Sequence, residues 1–302
     1  MIYHVPAMVQ ETLEGLNINP EGIYVDVTFG GGGHSKAILQ KLNAKGRLIA
    51  FDQDEHAFQN LINDDRFLLI QSNFKYLKRF LRFYAVDQID GLLADLGVSS
   101  HQLDQPERGF AFRHQDINLP LDMRMNLQQH KTAADVINFT ASSRLESIFK
   151  DYGEIWNASK LVKAIEQHKS RAPILTVGQL VAVAGSVAIG PVNQYLAKTF
   201  QALRLEVNDE LLALEQLLED TVALLKPGGR MVVISYHSLE DRLVKRIIQA
   251  GNVKGIPRQD PFGNKLNELT AVSKKSIQPS EKEIKENYRV RSARLRIAEK
   301  SA

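Results

Sequence analysis

The segment Thr28-Phe-Gly-Gly-Gly-Gly-His-Ser35 places four consecutive glycines directly after the strand-like run Ile23-Tyr24-Val25-Asp26-Val27. A helix-like segment, Lys36 to Leu42, follows at once. Strand, glycine turn and helix in that order are how a parallel α/β sheet makes a pocket for a nucleotide-like group. Glycine permits a positive φ and lets a ligand lie against the main chain where a Cβ would obstruct it. Asp52 stands 19 residues after Gly33, at the end of Arg47-Leu-Ile-Ala-Phe-Asp52. From there a carboxylate can accept hydrogen bonds from both hydroxyls of a ribose. The alternative, N-capping of the following helix, is better served by Asp54. Asp95 closes a further strand-like run, Ile89 to Asp95, and suits either a cofactor ammonium group or a target amine.

The spacing excludes two common cofactor classes. A dinucleotide turn needs a small third residue, Gly or Ala, where this chain has Ser35 or Lys36, and no Gly-Lys-Ser/Thr of a phosphate loop follows the glycines. An adenosine cofactor without phosphates, S-adenosylmethionine (AdoMet), fits what remains, because its sulfonium and ammonium groups favour carboxylates and aromatic faces. The chain has no cysteine. That excludes thiolate zinc sites, cysteine-held iron–sulfur clusters and covalent attack on a pyrimidine ring by a thiolate. Transfer to nitrogen or oxygen needs no such thiolate, and no metal is expected.

These residues require a sheet to position them. Strand-like runs at 23–27, 47–52, 67–72 and 89–95 alternate with helical segments at 55–62 and 74–84, the rhythm of a doubly wound parallel sheet. From about His101 to Lys198 the alternation stops. Ser143-Arg-Leu-Glu146 and Thr176-Val-Gly-Gln179 fit capping boxes, and Pro173 and Pro191 punctuate helices. The sheet resumes after an amphipathic helix with Leu211, Leu214, Leu218, Val222 and Leu225 on one face. Lys226-Pro-Gly-Gly229 should end that helix, and strands should follow at 230–235, around 268–272 and at 291–298. The expected organisation is a Rossmann-like domain from residues 1–100 and 199–302 with a helical domain, residues 101–198, inserted into it.

The net charge of +3 is unevenly spread. Lys226 to Ala302 carry 17 Lys and Arg against 8 Asp and Glu, a net of +9. Such a basic third suits an anionic partner such as RNA or a purely solvated surface. Arg242, Lys245 and Arg246 on one helix, and Arg289, Arg291, Arg294 and Arg296 near the end, are the candidate RNA contacts. Strand alternation would put Arg289 and Arg291 on one face. No apolar run approaches membrane-spanning length, and the N-terminus lacks a signal pattern, so the expected location is cytoplasmic.

Longer motifs carry a resemblance. The glycine segment, Asp95-Leu-Gly-Val-Ser-Ser-His-Gln-Leu-Asp104, Arg108-Gly-Phe-Ala-Phe112, Pro120-Leu-Asp-Met-Arg-Met125, Thr199-Phe-Gln-Ala-Leu-Arg204 and Ser235-Tyr-His-Ser-Leu-Glu-Asp-Arg242 resemble the bacterial 16S ribosomal RNA cytosine-N4 methyltransferase family. The likeness runs from Tyr3-His-Val-Pro6 to Arg294-Leu-Arg-Ile-Ala-Glu299. It implies a class I AdoMet-dependent methyltransferase sheet with an inserted helical domain, acting on a cytidine N4 in the decoding region of the small-subunit RNA. It also implies cofactor contacts at Gly32, Gly33, His34, Asp52, Phe74, Asp95 and Gln102. Leu119, Tyr288, Ala111 and Tyr236 depart from the family pattern, all outside those contacts. For catalysis the candidates are Asp95, Ser99 and His237. Ser99 could instead bind turn backbone, His237 could belong to a helix start capped by Ser238, and Phe74 could be a core aromatic. The oligomeric state is open. A competing function is a non-catalytic RNA-binding assembly factor that retains an AdoMet pocket; a third is a methyltransferase for small molecules or proteins.

Overall fold

The computed structural model describes residues 6–112, 118–257, 259–263 and 266–301; the Tyr3-His-Val part of the first motif lies outside them. The chain divides into two compact units, one built up to Gly97 and again from Leu211 onward, the other from Val98–Glu210.

In the first unit, α1 (Val9–Leu16), β1 (Ile23–Asp26), α2 (Gly33–Leu39), β2 (Arg47–Asp52), β3 (Phe67–Gln71), α3 (Leu77–Phe83) and β4 (Ile89–Asp95) alternate as expected. Val25, Ile49, Phe51, Leu92 and Ala94 are buried on one side of the sheet, Tyr24, Leu48 and Leu93 on the other. Strands covered on both faces must be apolar nearly throughout, which is why these runs do not alternate with polar residues. The segment after Asp54 is a short 3-10 turn, Glu55–Asn60, and α2 starts at Gly33 rather than Lys36 because Gly32 supplies the left-handed cap.

The second unit holds α4 (Ser100–Asp104), α5 (Ala133–Phe139), α6 (Ser142–Asp151), α7 (Ala158–Lys169), α8 (Val177–Ser186) and α9 (Val192–Val207), and the first residue of α10 (Glu210–Leu224). Phe149, Leu161, Ile165, Leu180, Phe200 and Leu203 are among its own buried core. The boundary expected at 198/199 falls at 210/211. α9 is one continuous helix, and Tyr195, Leu196, Phe200, Leu203 and Val207 pack into this same core along its whole length. The Thr176–Gln179 capping box forms, but α6 begins one residue before Ser143, with Ala141 at its N-cap and no side-chain cap.

The first unit then resumes with the rest of α10, β5 (Leu225–Ser235), α11 (Ser238–Ala250), β6 (Leu269–Ala271), α12 (Glu281–Glu286) and β7 (Arg294–Lys300). Lys226-Pro-Gly-Gly229 is a bulge inside β5, not a helix end. The pairing with β4 jumps from Ile89–Leu225 to Gly91–Arg230, and Lys226 Nζ donates to Asp90 Oδ2 at 2.7 Å. β7 starts at Arg294, later than expected, because Tyr288–Ser292 forms a 3-10 turn. Arg289 and Arg291 therefore do not share a strand face. The sheet order is β3-β2-β1-β4-β5-β7-β6, with β1 to β5 parallel and β7 antiparallel to β5 and β6. β1 lies between β2 and β4, so the winding reverses there, and a crevice for a ligand opens beyond the carboxyl ends of those strands.

Candidate active site

Three carboxylates close the three strands around that reversal: Asp26 on β1, Asp52 on β2 and Asp95 on β4. Each is held by its surroundings, and among the described residues none pairs with a lysine or arginine. Asp26 is buried; its oxygens accept from the Ser35 hydroxyl at 2.7 Å and from Thr28 N at 3.1 Å. Burial raises its pKa above the ordinary carboxylate value, against the opposing effects of His34, Ser35 and Thr28. Asp52 accepts from Gly30 N at 2.7 Å and from Asp54 N at 2.9 Å, so it fixes the first glycine of the turn. Burial pushes its pKa up to about 6, although those two backbone donors favour the ionised form. Asp54 is the N-cap of the next turn, accepting from His56 N at 3.1 Å.

Asp95 ties the end of β4 to three other segments. Its backbone N–H donates to Thr28 Oγ1 at 2.7 Å, and Tyr236 Oη donates to its Oδ1 at 2.8 Å. Its Oδ2 lies 3.8 Å from His34 Nδ1. Desolvation raises its pKa to about 6, with His34 and Tyr236 opposing the rise. Tyr236 is itself pushed well above the ordinary phenol value by burial and the neighbouring Asp95 charge, so it stays a donor. His34 is buried, and its Nε2 lies 2.8 Å from the Ala7 carbonyl oxygen.

The glycine turn is shaped for close approach. Gly30 and Gly32 take positive φ of 51° and 75°. A Cβ on Gly33 would stand 2.6 Å from the Pro6 ring, so the chain just before α1 lies across the turn. Asn60 Nδ2 donates to Gly30 O at 3.1 Å and holds the other side. Phe74, half-buried at the end of β3, packs against the sheet core, and Asn73 beside it donates to Gln53 Oε1 at 2.9 Å.

The remaining candidates occupy different settings. Ser99 is the N-cap of α4, in a capping box whose partner is Gln102; both belong to the second unit. His237, not Ser238, is the N-cap of α11, and its ring faces Glu240, with Nε2 3.0 Å from Oε1. The buried Glu240 also accepts from Tyr236 N at 2.9 Å, which fixes the backbone that carries the Tyr236 ring. Arg242, Lys245 and Arg246 are exposed at helical spacing on α11. Arg291 stacks on Tyr288 with its guanidinium carbon 4.3 Å from the ring centre, and Arg294 lies 3.5 Å from Asp241. Arg296, on the same face of β7, grips Asp241 with two hydrogen bonds of 2.7 and 3.0 Å.

Sequence reasoning missed Asp26, Thr28 and Tyr236 as members of the site, whereas Glu240 stands, with His237 and Asp241, in a cluster it places after the fifth strand at the ligand-binding edge of the sheet. Asp26 carried a signal, since an acidic residue in the middle of a buried apolar strand is unexpected. Tyr236 carried none, because nothing local tells that it reaches a strand 141 positions away.

A doubly wound sheet in this order, with an antiparallel strand next to its edge and acidic strand ends gathered at a glycine turn, defines a Rossmann-like methyltransferase of class I. The chain belongs to the MraW methylase family, whose model matches residues 1–301. It is 49% identical over 306 residues to the Ribosomal RNA small subunit methyltransferase H of Bacteroides thetaiotaomicron, covering 99% of this chain and 98% of that protein. It is 51% identical over 302 residues to the protein of the same name from Cytophaga hutchinsonii, covering 99% and 100%.

Proposed function

We propose that the protein transfers a methyl group from AdoMet to the exocyclic N4 of a cytidine in the decoding region of 16S ribosomal RNA, as a cytoplasmic enzyme of small-subunit maturation. The observation that carries this reading is the group of three carboxylates at the ends of β1, β2 and β4, paired with no lysine or arginine among the described residues, beside the glycine turn. Left alone, such a group is electrostatically unfavourable; a ligand bearing a sulfonium and an ammonium compensates it. Asp52 would take the ribose hydroxyls, Phe74 would border the adenine, and the backbone of Gly32 and Gly33 would border the amino-acid portion. Asp95 Oδ2 would accept from the ammonium, with His34 beside it at 3.8 Å, and Gln102 is assigned to the cofactor by the family resemblance alone.

When bound, AdoMet supplies an electrophilic methyl group whose leaving atom is a neutral thioether sulfur. The protein's part is mainly alignment, which can contribute about 7–11 kcal/mol in well-oriented systems. Cytosine N4 is a weak nucleophile, so an acceptor for its N–H is needed. Asp95, with a pKa of about 6, is the carboxylate suited to accept that hydrogen, and Tyr236 orients it. Without a thiolate the cytosine C5 route is closed to this chain. His237 and Ser99 serve in this reading through the helix starts they cap. The helical insertion would act in RNA recognition, together with the exposed face of α11 and with Arg291 and Arg294.

The test is methylation of small subunits and of free 16S RNA from a strain lacking the enzyme, with labelled AdoMet and nucleoside mapping. Label on one cytidine N4 is the expected result; label at C5 or on ribose only would refute it. An assembly factor that retains the AdoMet pocket would bind the cofactor and the RNA but leave no label on the RNA in that assay.

A further inference from the structure

The first unit carries a basic, aromatic surface that the site above does not use. Between Phe74 and Tyr84 the chain has Lys75, Lys78, Arg79 and Arg82 and no carboxylate. Leu77 and Leu81 are buried in the sheet core and Phe80 packs behind them, so helical spacing turns the other side chains outward. Lys78, Arg79, Arg82 and both Phe83 and Tyr84 are exposed, Phe83 by 78%. The Phe83 and Tyr84 rings meet edge to face with centroids 5.1 Å apart, and Lys75 lies 5.2 Å from the centre of the Tyr76 ring.

Each feature is unfavourable in isolation. Lys75 and Arg79, and Lys78 and Arg82, are like charges at i,i+4 spacing, and such pairs repel. Asp220 of α10 lowers that repulsion only near Lys78; among the described residues Lys75, Arg79 and Arg82 make no ion pair. Large aromatic surface left in water is a further cost. Both costs reverse against one kind of partner, a polyanion that also presents flat faces. Phosphates neutralise the cations, and unpaired bases stack on the rings. An acidic protein segment would answer the charges but offer Phe83 and Tyr84 no stacking partner.

We propose that residues 75–84 form an RNA-docking surface that takes a single-stranded or looped stretch of the substrate RNA. The assignment rests on the reading of the protein as an RNA methyltransferase and names a binding element for it. The segment starts at the carboxyl end of β3 beside Phe74, so RNA docked along α3 continues from the edge of the sheet where the carboxylates lie.

The test compares the full-length chain with the variant Arg79→Ala/Arg82→Ala/Phe83→Ala. All three positions are exposed and alanine favours helix, so folding should survive, checked by unchanged AdoMet affinity in calorimetry. Affinity for 16S RNA is measured over a salt series. The expected result is at least tenfold weaker RNA binding and a log–log salt slope shallower by about 2. Unchanged RNA affinity and slope, the outcome also expected if the surface serves a protein, would overturn the proposal. Ultraviolet cross-linking of the unaltered protein to RNA gives an independent check, with adducts expected on peptides containing Tyr76 or Phe83–Tyr84; adducts confined to other peptides count against it. A wild-type chain that binds AdoMet but methylates no RNA would sink the enzymatic reading instead, whatever the variant does.

Discussion

Asp52 and Asp95 titrate near 6 in the folded chain, well above the ordinary 3.8 of an aspartate. Between those values the folded, cofactor-free protein holds more protons than the unfolded chain, so its stability falls as pH rises from 4 to 6 and the penalty is complete above 6. Cofactor binding has the opposite sign, because a cation favours ionised carboxylates. AdoMet affinity should therefore weaken by about tenfold or more between pH 7 and pH 5, read by titration calorimetry. A flat profile would mean that neither carboxylate faces the cofactor. Asp95→Asn isolates one of them. It should abolish methyl transfer and cost at least about tenfold in AdoMet affinity, while stabilising the cofactor-free protein at pH 7.5 by about 1 kcal/mol. Loss of stability in that variant, measured by denaturant titration, would contradict the origin given for the raised pKa. This is the trade expected where a site is kept unfavourable for the sake of its ligand.

At the scale of elements, the strand–turn–helix unit of β1 and α2 depends on contacts its own sequence does not announce. Pro6 occupies the space a Gly33 Cβ would need, at 2.6 Å, and Met8 N is tied to Glu283 Oε1 of α12 at 2.6 Å. Gly33 is thus required by the neighbouring chain itself. Gly33→Ala should destabilise the protein by about 1–3 kcal/mol through overpacking and weaken AdoMet binding. Adding Pro6→Ala should recover part of the thermal stability, because the two changes share one contact. Additive losses in thermal melts would show that the Pro6 contact is not the cause. The strand ends, by contrast, were legible. Asp52 and Asp95 stand where apolar runs stop, and the capping pairs Asp54–His56 and Thr176–Gln179 are local enough to read directly. Ser143 and Ser238 fit the same local patterns and do not cap, since the flanking residues Ala141 and His237 begin those helices.

For the whole molecule, the basic C-terminal third is less available than its count suggests. Arg230 pairs with Glu299, Arg296 with Asp241, Lys226 with Asp90 and Lys300 with Glu268. These cations hold β5, β7 and their neighbours together, whereas Arg242, Lys245 and Arg246 on α11 are among the exposed cations of that third. Replacing Arg242, Lys245 and Arg246 together by alanine should lower RNA affinity and reduce the salt slope by about 2–3, with thermal stability nearly unchanged. Arg296→Met should do the reverse, costing about 1–3 kcal/mol of stability by leaving Asp241 with only the longer, more exposed Arg294 contact while barely moving the slope. Equal slopes for the two variants would mean that net charge alone governs RNA binding.

The sequence by itself determined the parallel sheet, the glycine turn, the acidic ends of β2 and β4, the exclusion of thiolate chemistry and the presence of a helical insertion. All of these depend on periodicity, backbone freedom or composition, which act over a few residues. Only the tertiary structure decided which residues meet: Tyr236 on Asp95, Pro6 over Gly33, Arg296 on Asp241, and the extension of the second unit to Glu210. It also separated the cations that are spent within the fold from exposed ones such as those on α3 and α11. The physical reason is range. Local propensity acts along the chain, whereas pairing, burial and the pKa values they set depend on strands that neighbour one another in the sheet and lie far apart in the sequence.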